Sequence, residues 1–595
     1  MLERSPRDEV GVAAPVALPA WRPMLVFLGV GVTMAGLIWL AVIALSPGGF
    51  SAVDLVLVVL FALTLPWYVI GVWNATIGLL IMRFARDPVA AVMPVAGRVR
   101  GDEPITASTA VLLCIRNEPP ERVVRMLEPM MEGLAARGVG ERFHVYVLSD
   151  TSEADIAAVE DARFAALAAA WRGRVALTYR RREENIGFKA GNIRDFCERW
   201  GKDHDFAIML DADSMMTVDL VLKLVRIMQI DPRLGIVQSL VIGMPSASAF
   251  ARIFQFGMRL SMRSYTIGSA WWQGDCGPYW GHNAIVRIAP LVAHCQLPVL
   301  AEGALVKGHV LSHDQIEAVL MRRAGYEVRV LPEEGASWEE TPPTLLEFIR
   351  RDLRWAQGNM QYWPYLVMPG LKPVSRYQIA FAMLMFLGSP AWIGLLVLGT
   401  LAVATQGAAN FIRPDAGLAL FIVTLIMWFA PKIATVIDVV SRPALRNAFG
   451  GAARFIVSTI TETVFFLLLS PIMWFGHTMF LTGLVLGRRL GWGGQARDDH
   501  SVPWSDAARQ LWPHTLLGWS CILILAFTVP AAIPYALFIA GGPALSIPLA
   551  VVTSWPAAGR ALMHAGIGSL PEENAPPAPL RRLALPAIEA AALRA

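Results

Sequence analysis

The hydrophobic positions of this chain form two patterns: long unbroken apolar runs near both ends, and short apolar runs between polar segments in the middle. A membrane-spanning helix requires roughly 20 consecutive apolar residues. Six runs approach or exceed this length, and they occupy residues 24–45, 53–82, 377–405, 418–440, 516–534 and 535–552. The pattern therefore predicts six membrane-spanning helices that flank a water-exposed middle region.

A further apolar segment, residues 453–487, is interrupted by Glu462, Pro471 and His477 and has arginines at both flanks. Two interpretations remain open, an interfacial helix followed by a re-entrant turn or two short spans. The first is favoured and predicts an interfacial and re-entrant segment over residues 453–511. The second would raise the number of spans from six to eight.

The arginines around the first two runs predict the orientation of the chain. Arg4, Arg7 and Arg22 precede the first run, and Arg83 and Arg86 follow the second, whereas the loop between the runs has no Lys or Arg. Because Lys and Arg accumulate on the cytoplasmic side of a membrane, we expect the N-terminus and the middle region to be cytoplasmic.

Short apolar runs in the middle region alternate with amphipathic stretches. The runs occupy residues 109–116, 144–150, 174–180, 206–213 and 234–240. This alternation is typical of an α/β domain with a mostly parallel sheet, in which ligands bind at the carboxyl ends of the strands.

The predicted organisation has five parts. They are an N-terminal tail with two spans (1–82), an α/β domain (83–345) and interfacial helices (346–376). A C-terminal membrane region (377–555) and a flexible Pro- and Ala-rich tail (556–595) follow.

Composition supports a membrane protein and excludes other classes. The chain of 595 residues is 55% hydrophobic and 16% charged, whereas soluble proteins carry about 25% charged residues. Its five cysteines include no CxxC pair, which argues against a zinc site and a disulfide framework. The net charge of +4 comes without a basic stripe, so nucleic acid is not an expected partner.

Two aspartates follow an apolar strand and are the first candidates for chemistry. In FAIMLDADSMM, Asp211 and Asp213 fall at the carboxyl end of the run that starts at Phe206. Two carboxylates at such an edge can hold a divalent ion that keeps its other positions for phosphate oxygens and water. The alternative is an ordinary helix N-cap at Asp213 or Ser214.

Other predicted strands also end in polar residues. The first ends at Asn117 and Glu118, and the second ends at Asp150. Each of these endings alone is as readily a turn signal. Together with the ending at Asp211 and Asp213, they favour a nucleotide pocket. Lys189, in the Gly-flanked loop FKAGN before a helical stretch, suits an anionic phosphate. A solvated lysine is the alternative there.

Two later segments carry further candidates. GPYWGHN contains Tyr279, Trp280 and His282, whose aromatic faces and polar edges suit a sugar ring unless they form an ordinary aromatic core. Asp314 opens an amphipathic helix. It is there either a simple N-cap or a carboxylate that the helix N-terminus keeps ionised.

The segment FIRRDLRWAQGNMQYW stands just before a membrane span. Arg351, Arg354 and Trp355 share one helical face in it. These side chains could close over a pyrophosphate, or the segment could be an interfacial helix with snorkelling arginines.

As a set, these motifs resemble those of the processive family 2 glycosyltransferases of the cellulose synthase kind. That group has an acid after a strand, a DxD, an acidic triplet and a QxxRW motif. The corresponding positions here are Asp150, Asp211 with Asp213, Ser312-His313-Asp314, and Arg351 to Trp355. Five sequence segments more closely resemble the bacterial glucosyltransferases of osmoregulated periplasmic glucans. They are VLSDTS, ENIGFKAGN, LSHD, RRDLRWAQGNMQY and RDDHSVPW. The resemblance covers residues 105–555.

Two positions depart from the wider group. The triplet SHD keeps the acid of the TED-like motif, at Asp314. Arg351 stands where the wider group has glutamine. Because that glutamine helps to bind the acceptor end in the wider group, Arg351 puts the linkage chemistry of that group in doubt for this chain but does not exclude glycosyl transfer.

The resemblance implies a polytopic α-helical membrane protein with a cytoplasmic α/β glycosyltransferase domain of the GT-A, Rossmann-like type, located in the bacterial inner membrane. It implies UDP-glucose as donor, a growing β-1,2-linked glucan as acceptor and product, and Mg²⁺ or Mn²⁺ as cofactor. Inner-membrane lipid, acyl carrier protein and a periplasmic glucan-processing protein are further implied partners. Asn74, Gln378 and Glu462 are candidates for a polar export path, unless they only join helices.

The resemblance also implies roles for individual residues, with Asp314 as the general base. The implied UDP-binding residues are Asn117, Glu118, Asp150, Lys189, Asp211 and Arg354. The implied metal ligands are Asp211 and Asp213. The implied acceptor-binding residues are Tyr279, Trp280, His282 and Trp355.

Two alternative functions remain open from the residues. A transferase that makes a polyprenyl-phosphate-linked sugar would need neither the RxxRW helix nor the GPYWGHN segment. A non-catalytic UDP-sugar sensor would be expected to have lost its acids, whereas Asp150, Asp211, Asp213 and Asp314 are all present.

Overall fold

The structure is a computed structural model that describes residues 19–301, 306–491 and 497–583. Helices of membrane-spanning length lie at both ends of this part of the chain, and an α/β domain lies between them. The predicted fold class is confirmed at this level. Arg4 and Arg7, which contributed to the predicted orientation, and the tail residues 584–595 lie outside the described residues.

The first helices follow the predicted spans. They are Trp21–Ala44 (α1), Ala52–Phe84 (α2) and Pro88–Val92 (α3). A capping box begins α2: Ser51 Oγ accepts from the Asp54 N–H at 3.3 Å, and Asp54 Oδ2 accepts from the Ser51 N–H at 2.8 Å. The box satisfies N–H groups that a helix start otherwise leaves without a partner.

The middle region contains two sheets. Its strands are Thr109–Ile115 (β1), Phe143–Ser149 (β2), Ala176–Arg181 (β3), Phe206–Asp211 (β4), Ser214–Met216 (β5), Leu234–Ser239 (β6), Ile242–Gly243 (β7), Ala284–Arg287 (β8), Glu327–Leu331 (β9) and Ser337–Glu339 (β10). The larger sheet has the order β3-β2-β1-β4-β8-β6-β9, and the smaller has the order β5-β10-β7. β8 runs antiparallel to β4 and β6, while the other neighbours in the larger sheet are parallel. All five predicted strands are present, as β1 to β4 and β6.

Helices cover both faces of the larger sheet. In chain order they are Pro120–Ala136 (α4), Ala154–Trp171 (α5), Phe188–Trp200 (α6), Val218–Ile230 (α7), Ala249–Gln273 (α8), Ile288–His294 (α9) and Asp314–Arg323 (α10). Alternate residues of β1 enter different cores. Val111 and Leu113 pack with Leu127 of α4, whereas Leu112 packs with Phe196 of α6. Burial on both faces explains why the strands read as short continuous apolar runs.

The chain after the α/β domain is helical. Its helices are Leu345–Asn359 (α11), Trp363–Leu366 (α12), Pro373–Leu387 (α13), Ser389–Gln406 (α14), Ala408–Phe411 (α15), Pro414–Ser441 (α16), Pro443–Ala448 (α17), Ala452–Val485 (α18), Trp504–Thr528 (α19), Ile533–Ala544 (α20), Ser546–Ser554 (α21), Pro556–Ala565 (α22) and Pro571–Asn574 (α23). In the described part of the chain, six helical segments are long and apolar enough to cross a membrane. The pair formed by residues 530–544 and α21, bent by 56°, would be a seventh.

One unbroken helix, α18, replaces the turn predicted within residues 453–511. It has 34 residues and is one of the six candidate spans. The predicted interruption is wrong because the polar residues that suggested it have partners on neighbouring helices. Glu462 pairs with Lys432 of α16 at 2.6 Å, and His477 contacts Asp352 of α11. A polar side chain with such a partner can remain inside a membrane helix.

The described part of the C-terminal tail packs against α8, which differs from the flexible tail predicted for residues 556–595. Glu572 of α23 pairs with Arg259 at 3.0 Å, and Glu573 pairs with Arg252 at 2.7 Å. The partners of the first pair are 313 positions apart in the chain. Composition alone cannot reveal such distant partners, which explains the wrong prediction.

Two histidines in the α/β domain are joined through a tyrosine. The Tyr146 hydroxyl lies 3.1 Å from His144 Nδ1 and 2.9 Å from His204 Nε2. Burial, with a smaller contribution from His204, lowers the pKa of His144 to about 4, below its usual value of about 6.5. Between these two values the unfolded chain binds a proton here that the folded chain does not. The stability due to this group is therefore complete above about pH 6.5 and is lost as the pH falls toward about 4.

We expect the thermal midpoint of the purified protein to decrease when the pH is lowered from about 7.5 to about 5. The decrease should be smaller in His144→Gln, because glutamine cannot bind this proton. Near-UV circular dichroism in detergent measures the midpoints. The exposed His564 supplies the control variant His564→Gln, which should keep the wild-type fall. Equal falls in His144→Gln and the wild type would contradict this assignment.

Candidate active site

The carboxyl ends of β1, β2 and β4 meet at one edge of the larger sheet. Cys114 of β1 lies opposite both Leu148 of β2 and Asp211 of β4. The Asp150 N–H donates to the Ile115 carbonyl at 2.9 Å. Asp150 and Asp211 therefore lie at the same edge, where parallel sheets bind ligands.

Asn117 joins the loops that follow β1 and β2. Its φ is +56°, a conformation that asparagine adopts more readily than most residues. Its Oδ1 accepts from the N–H groups of Ser152 at 2.9 Å and Glu153 at 3.2 Å, and its own N–H donates to Thr151 Oγ1 at 2.9 Å. Asn117 thus shapes the rim of the proposed uridine site.

Asp150 is held by an arginine that the sequence analysis did not single out. Arg182 Nε donates to Asp150 Oδ1 at 2.7 Å, and Arg182 Nη2 donates to Oδ2 at 2.8 Å. Arg182 also donates to the carbonyl oxygens of Ile186 and Phe188, at 3.0 Å each. This two-pronged pairing fixes the Asp150 carboxylate and ties it to the loop before Lys189.

Lys189 lies in the first turn of α6, which begins after Gly187 in the left-handed conformation at φ +71°. Its Nζ contacts the Asp211 carboxylate and donates to the Gly281 carbonyl at 2.7 Å. Burial alone would lower the pKa of Lys189, but Asp211, Cys114 and Asp314 together outweigh burial and raise it. Lys189 therefore stays charged beside the DxD pair.

Arg497 bridges the two other acids of this edge. Its Nη2 and Nε donate to Glu118 Oε1 at 3.0 Å and 3.1 Å, and its Nη1 contacts the Asp213 carboxylate. Burial would raise the pKa of Asp213, but Arg497 lowers it below its usual value. Burial raises the pKa of Glu118 despite the same arginine. Arg497 belongs to the RDDHSVPW segment, which resembled a family motif but received no predicted role.

Asp314 lies close to the Lys189–Asp211 pair. It is the first residue of α10, and its Oδ1 accepts from Ser312 Oγ at 2.9 Å. A Cβ atom at Gly281 would lie 3.4 Å from Asp314 Cβ. Because the Gly281 carbonyl also accepts from Lys189, the predicted base and the predicted diphosphate site share one cleft.

The end of α11 holds the loop that precedes Asp314. A Cβ atom at Gly358 would lie 2.8 Å from Ser312 Cβ, so only glycine allows this approach. The Tyr362 hydroxyl donates to the Ser312 carbonyl at 3.0 Å, and Gln361 Oε1 accepts from the Leu311 N–H at 2.7 Å. The segment QGNMQY after the RxxRW residues thereby positions Asp314, the predicted base.

The arginines of the RxxRW helix lie near the DxD pair. Arg351 Cζ is 4.8 Å from the centroid of the Trp355 ring, as their spacing on one helical face predicts. Burial, together with neighbouring Arg351 and Arg497, lowers the pKa of Arg354. Arg351 and Arg497 both also act on the carboxylate of Asp213. Trp355 is 43% exposed and is available to a ligand.

The GPYWGHN segment divides between core and rim. Tyr279 is fully buried, so the predicted contact of its ring with an acceptor is not possible in this structure. Trp280 packs against the apolar cluster that contains Trp338. His282 Nδ1 lies 3.1 Å from Ser214 Oγ, directly after the DxD pair. Of the three predicted acceptor residues in this segment, His282 is the one whose side chain contacts Ser214, the residue directly after the DxD pair.

Residues 206–539, more than half of the chain, match the family described as "Glycosyl transferase family group 2". The match begins at the first residue of β4 and includes the DxD pair, Asp314 and α11. The chain belongs to glycosyl transferase family group 2. Asp150 and Lys189 precede the matched region.

Curated relatives cover nearly the whole chain. It is 34% identical over 557 residues to the "Glucans biosynthesis glucosyltransferase H" of Pseudomonas putida (strain W619), covering 91% of this chain and 64% of the relative. It is 36% identical over 539 residues to the protein of that name in Pseudomonas paraeruginosa (strain DSM 24068 / PA7), covering 88% of this chain and 62% of the relative. The chain thus spans less than two thirds of the length of these relatives. A solved mannosyltransferase of Pyrobaculum calidifontis, in complex with GDP-Man and Mn²⁺, aligns with 16% identity, a TM-score of 0.39 and coverage of 61% of this chain and 98% of that one.

The side chains at the cleft supply some, but not all, of the ligands that a divalent cation needs. Asp211 and Asp213 supply hard carboxylate oxygens. Among residues 19–301, 306–491 and 497–583, no group of three or more His, Cys, Asp or Glu side chains is arranged to hold a metal. An ion here would take its other ligands from a diphosphate and water, and it would compete with Lys189 and Arg497 for the two carboxylates.

Proposed function

We propose that this protein is a processive, inverting glucosyltransferase that polymerises glucose from UDP-glucose into the β-1,2-linked backbone of a periplasmic glucan. The observation that carries the proposal is the convergence of Asp314, Lys189 and Asp211 around Gly281. In this proposal the convergence supplies a carboxylate base and, next to it, a site for a diphosphate, the two features that glycosyl transfer from a nucleotide needs. Family membership supports the reaction class, and the names of the similar proteins support glucose and glucan.

In this proposal the leaving diphosphate is stabilised by fixed charges. Lys189 and Arg354 would stabilise the negative charge that grows on UDP as its bond to glucose breaks. Asp211 and Asp213 would hold Mg²⁺ or Mn²⁺, which when bound neutralises charge on phosphate oxygens. Asp150, fixed by its bidentate arginine, would bind the uridine together with Asn117 and Glu118.

Asp314 would accept the proton of the attacking acceptor hydroxyl as the new bond to the anomeric carbon forms. Asp314 is the first residue of α10, where the N-terminus of the helix attracts negative charge. The Ser312 hydroxyl orients one of its oxygens. A single displacement with no covalent enzyme intermediate inverts the anomeric centre, so an α-linked donor gives a β-linkage.

A cavity among the membrane helices supports export of the growing chain. Its volume is about 250 Å³, and its lining includes Trp67, Trp392, Trp428 and Trp474. Indole faces suit the apolar faces of sugar rings, and the cavity reaches α11 at Asp352. We propose that the product chain leaves the cleft along this cavity, with the α/β domain on the cytoplasmic side of the inner membrane.

The polar residues that the sequence suggested for an export path are not among those that line this cavity. Asn74 Oδ1 accepts from Trp272 Nε1 at 2.8 Å, and Gln378 Nε2 donates to Gln273 Oε1 at 3.1 Å. Glu462 has a lysine partner, as described above. All three join helices, which was the alternative interpretation.

The test is to give the purified full chain radiolabelled UDP-glucose with Mg²⁺ or Mn²⁺, and then to size the product and map its linkages. We expect a polymer of β-1,2-linked glucose, and no polymer when a chelator is present. A labelled glycolipid as the sole product would replace this function with the polyprenyl-phosphate alternative. Binding of UDP-glucose without turnover would support the sensor.

A further inference from the structure

A chain of three hydrogen-bonding side chains links α11 to two membrane helices. Asp352 of α11 contacts His477 Nε2 of α18, and His477 Nδ1 lies 3.0 Å from Ser389 Oγ at the start of α14. The side chains of Asp352 and His477 are 15% and 8% exposed, and Ser389 is buried. Ionisable groups enclosed among membrane helices commonly mark a functional site.

The chemistry of these contacts leaves one carboxylate oxygen available. An ionised carboxylate only accepts hydrogen bonds, so His477 Nε2 donates to Asp352 Oδ2. In the neutral tautomer Nδ1 then accepts from the Ser389 hydroxyl. Asp352 Oδ1 has no hydrogen bond within the described part of the chain. The contact with His477 therefore orients the Asp352 carboxylate and leaves its Oδ1 available to accept a hydrogen bond.

All three side chains line the membrane cavity defined above. Phe348 of α11 lines it too, and it is four residues before Asp352, so the two side chains share one helical face. Arg351 and Trp355 occupy the adjacent face, and Gly358 at the end of α11 packs against Ser312 in the loop before Asp314. α11 thus forms a wall between the cavity and the cleft.

The lining of the cavity fits a neutral polyhydroxyl ligand better than a phosphate or a lipid tail. The acid at Asp352 would repel a diphosphate. An acyl chain would leave the free oxygen of Asp352 buried without a partner, which is unfavourable. A sugar meets both features, since its C–H faces stack on indoles and its hydroxyl groups donate to a carboxylate.

We infer that Asp352 is a sugar-binding residue of this cavity: its free oxygen accepts a hydrogen bond from a hydroxyl group of the saccharide chain, and His477 and Ser389 are positioning residues that orient it. This inference rests on the proposed function for the identity of the chain as a glucan. It assigns the position between Arg351 and Arg354 in the RxxRW helix to the product rather than to the donor. A cavity of about 250 Å³ is slightly below the usual size of small-ligand sites, so it holds a short stretch of chain.

The experiment measures binding of a short, radiolabelled, linear β-1,2-linked gluco-oligosaccharide to the full chain in nanodiscs, without UDP-glucose. We expect saturable binding by the wild type. In Asp352→Asn we expect it to weaken about tenfold, because the charged acceptor becomes a neutral amide and a hydrogen bond to a charged group is about twice as strong as a neutral one. Asp415→Asn changes an exposed aspartate at the start of α16 and is the matched control, which should bind as the wild type does.

UDP binding and the thermal midpoint are measured on each variant, and both should match the wild type. His477→Gln tests the positioning role: the KM for an oligosaccharide acceptor should rise several-fold with kcat nearly unchanged, whereas a merely structural defect would lower both kcat and UDP binding. Ser389→Ala keeps the carboxylate and serves if Asp352→Asn does not fold; it should weaken oligosaccharide binding by a smaller factor.

Wild-type affinity in folded Asp352→Asn, or in Ser389→Ala if only that variant folds, would overturn the inference. So would the absence of oligosaccharide binding by the wild type. Failure of the proposed function is a separate result, since a chain that binds the oligosaccharide but transfers no glucose from UDP-glucose would retain this site and lose that activity.

Discussion

Asparagine in place of Asp314 should abolish glucose transfer while UDP binding persists. The amide has nearly the same shape as the carboxylate and can still accept from Ser312 Oγ, but it cannot take a proton from the acceptor. A positioned general base contributes about 10²- to 10⁴-fold to a rate. We therefore expect turnover by Asp314→Asn to fall by at least about a hundredfold.

Transfer from radiolabelled UDP-glucose and calorimetric binding of UDP measure the two halves of this prediction. Asp161→Asn, which changes an exposed aspartate of α5, is the control and should keep both activities. The thermal midpoint should be unchanged in both variants. Asp314 is rejected as the base if its asparagine variant turns over within about threefold of the wild type, a range that no loss of a base explains.

Loss of UDP binding in Asp314→Asn would have a different meaning. Asp314 lies against Gly281, whose carbonyl accepts from Lys189. A disturbed Gly281 would therefore change the proposed diphosphate site as well as the base. Because the two effects separate in the binding measurement, the prediction tests the role of Asp314 and not merely its place in the fold.

The sequence predicted the sheet well because its strands are buried on both faces. β1 and β4 have apolar residues at nearly every position, and such runs stand out from the amphipathic helices between them. In a parallel arrangement the carboxyl ends of the strands meet at one edge, so the sequence alone predicted that Asp150 and Asp211 lie close together. The proximity of Asp314 came from the family resemblance and not from periodicity.

The pairing of distant residues was the part that could not be predicted. β8 inserts antiparallel between β4 and β6, yet it follows them in the chain. Arg182 meets Asp150 across 32 positions, and Arg497 meets Asp213 across 284. Arg182 does not differ in local pattern from other arginines of the chain, and the motif that contains Arg497 does not reveal which acid it contacts. The sequence could not predict the burial of Tyr279 either, because an aromatic residue in a polar segment fits either a protein core or the edge of a ligand site.

Arg497→Gln should destabilise the protein and at the same time tighten its binding of Mn²⁺. Arg497 is 16% exposed and bridges Glu118, which is 14% exposed, and Asp213, which is 13% exposed. Removing one partner from a buried charge pair costs about 3–5 kcal/mol, because the other charge stays buried alone. The same removal frees the Asp213 carboxylate for an added cation.

The measurement is the thermal midpoint with and without Mn²⁺, together with the Kd for Mn²⁺. A cation that binds only the folded state stabilises it by RT ln(1 + c/Kd), where c is the free cation concentration, so the gain grows as the Kd falls. We expect Arg497→Gln to melt lower than the wild type without Mn²⁺ and to gain more from Mn²⁺, with a Kd about tenfold lower. Arg194→Gln, which breaks an exposed ion pair on α6, should change neither value.

A second variant separates charge from shape. Arg497→Lys keeps a cation near Asp213 but loses the planar contact with Glu118, so its Mn²⁺ affinity should stay near that of the wild type while its midpoint falls in part. If Arg497→Gln melts lower but gains no more from Mn²⁺ than the wild type does, then Asp213 is not a ligand for the ion. Glu118 and Asp213 would in that case serve to hold Arg497 at this edge of the sheet.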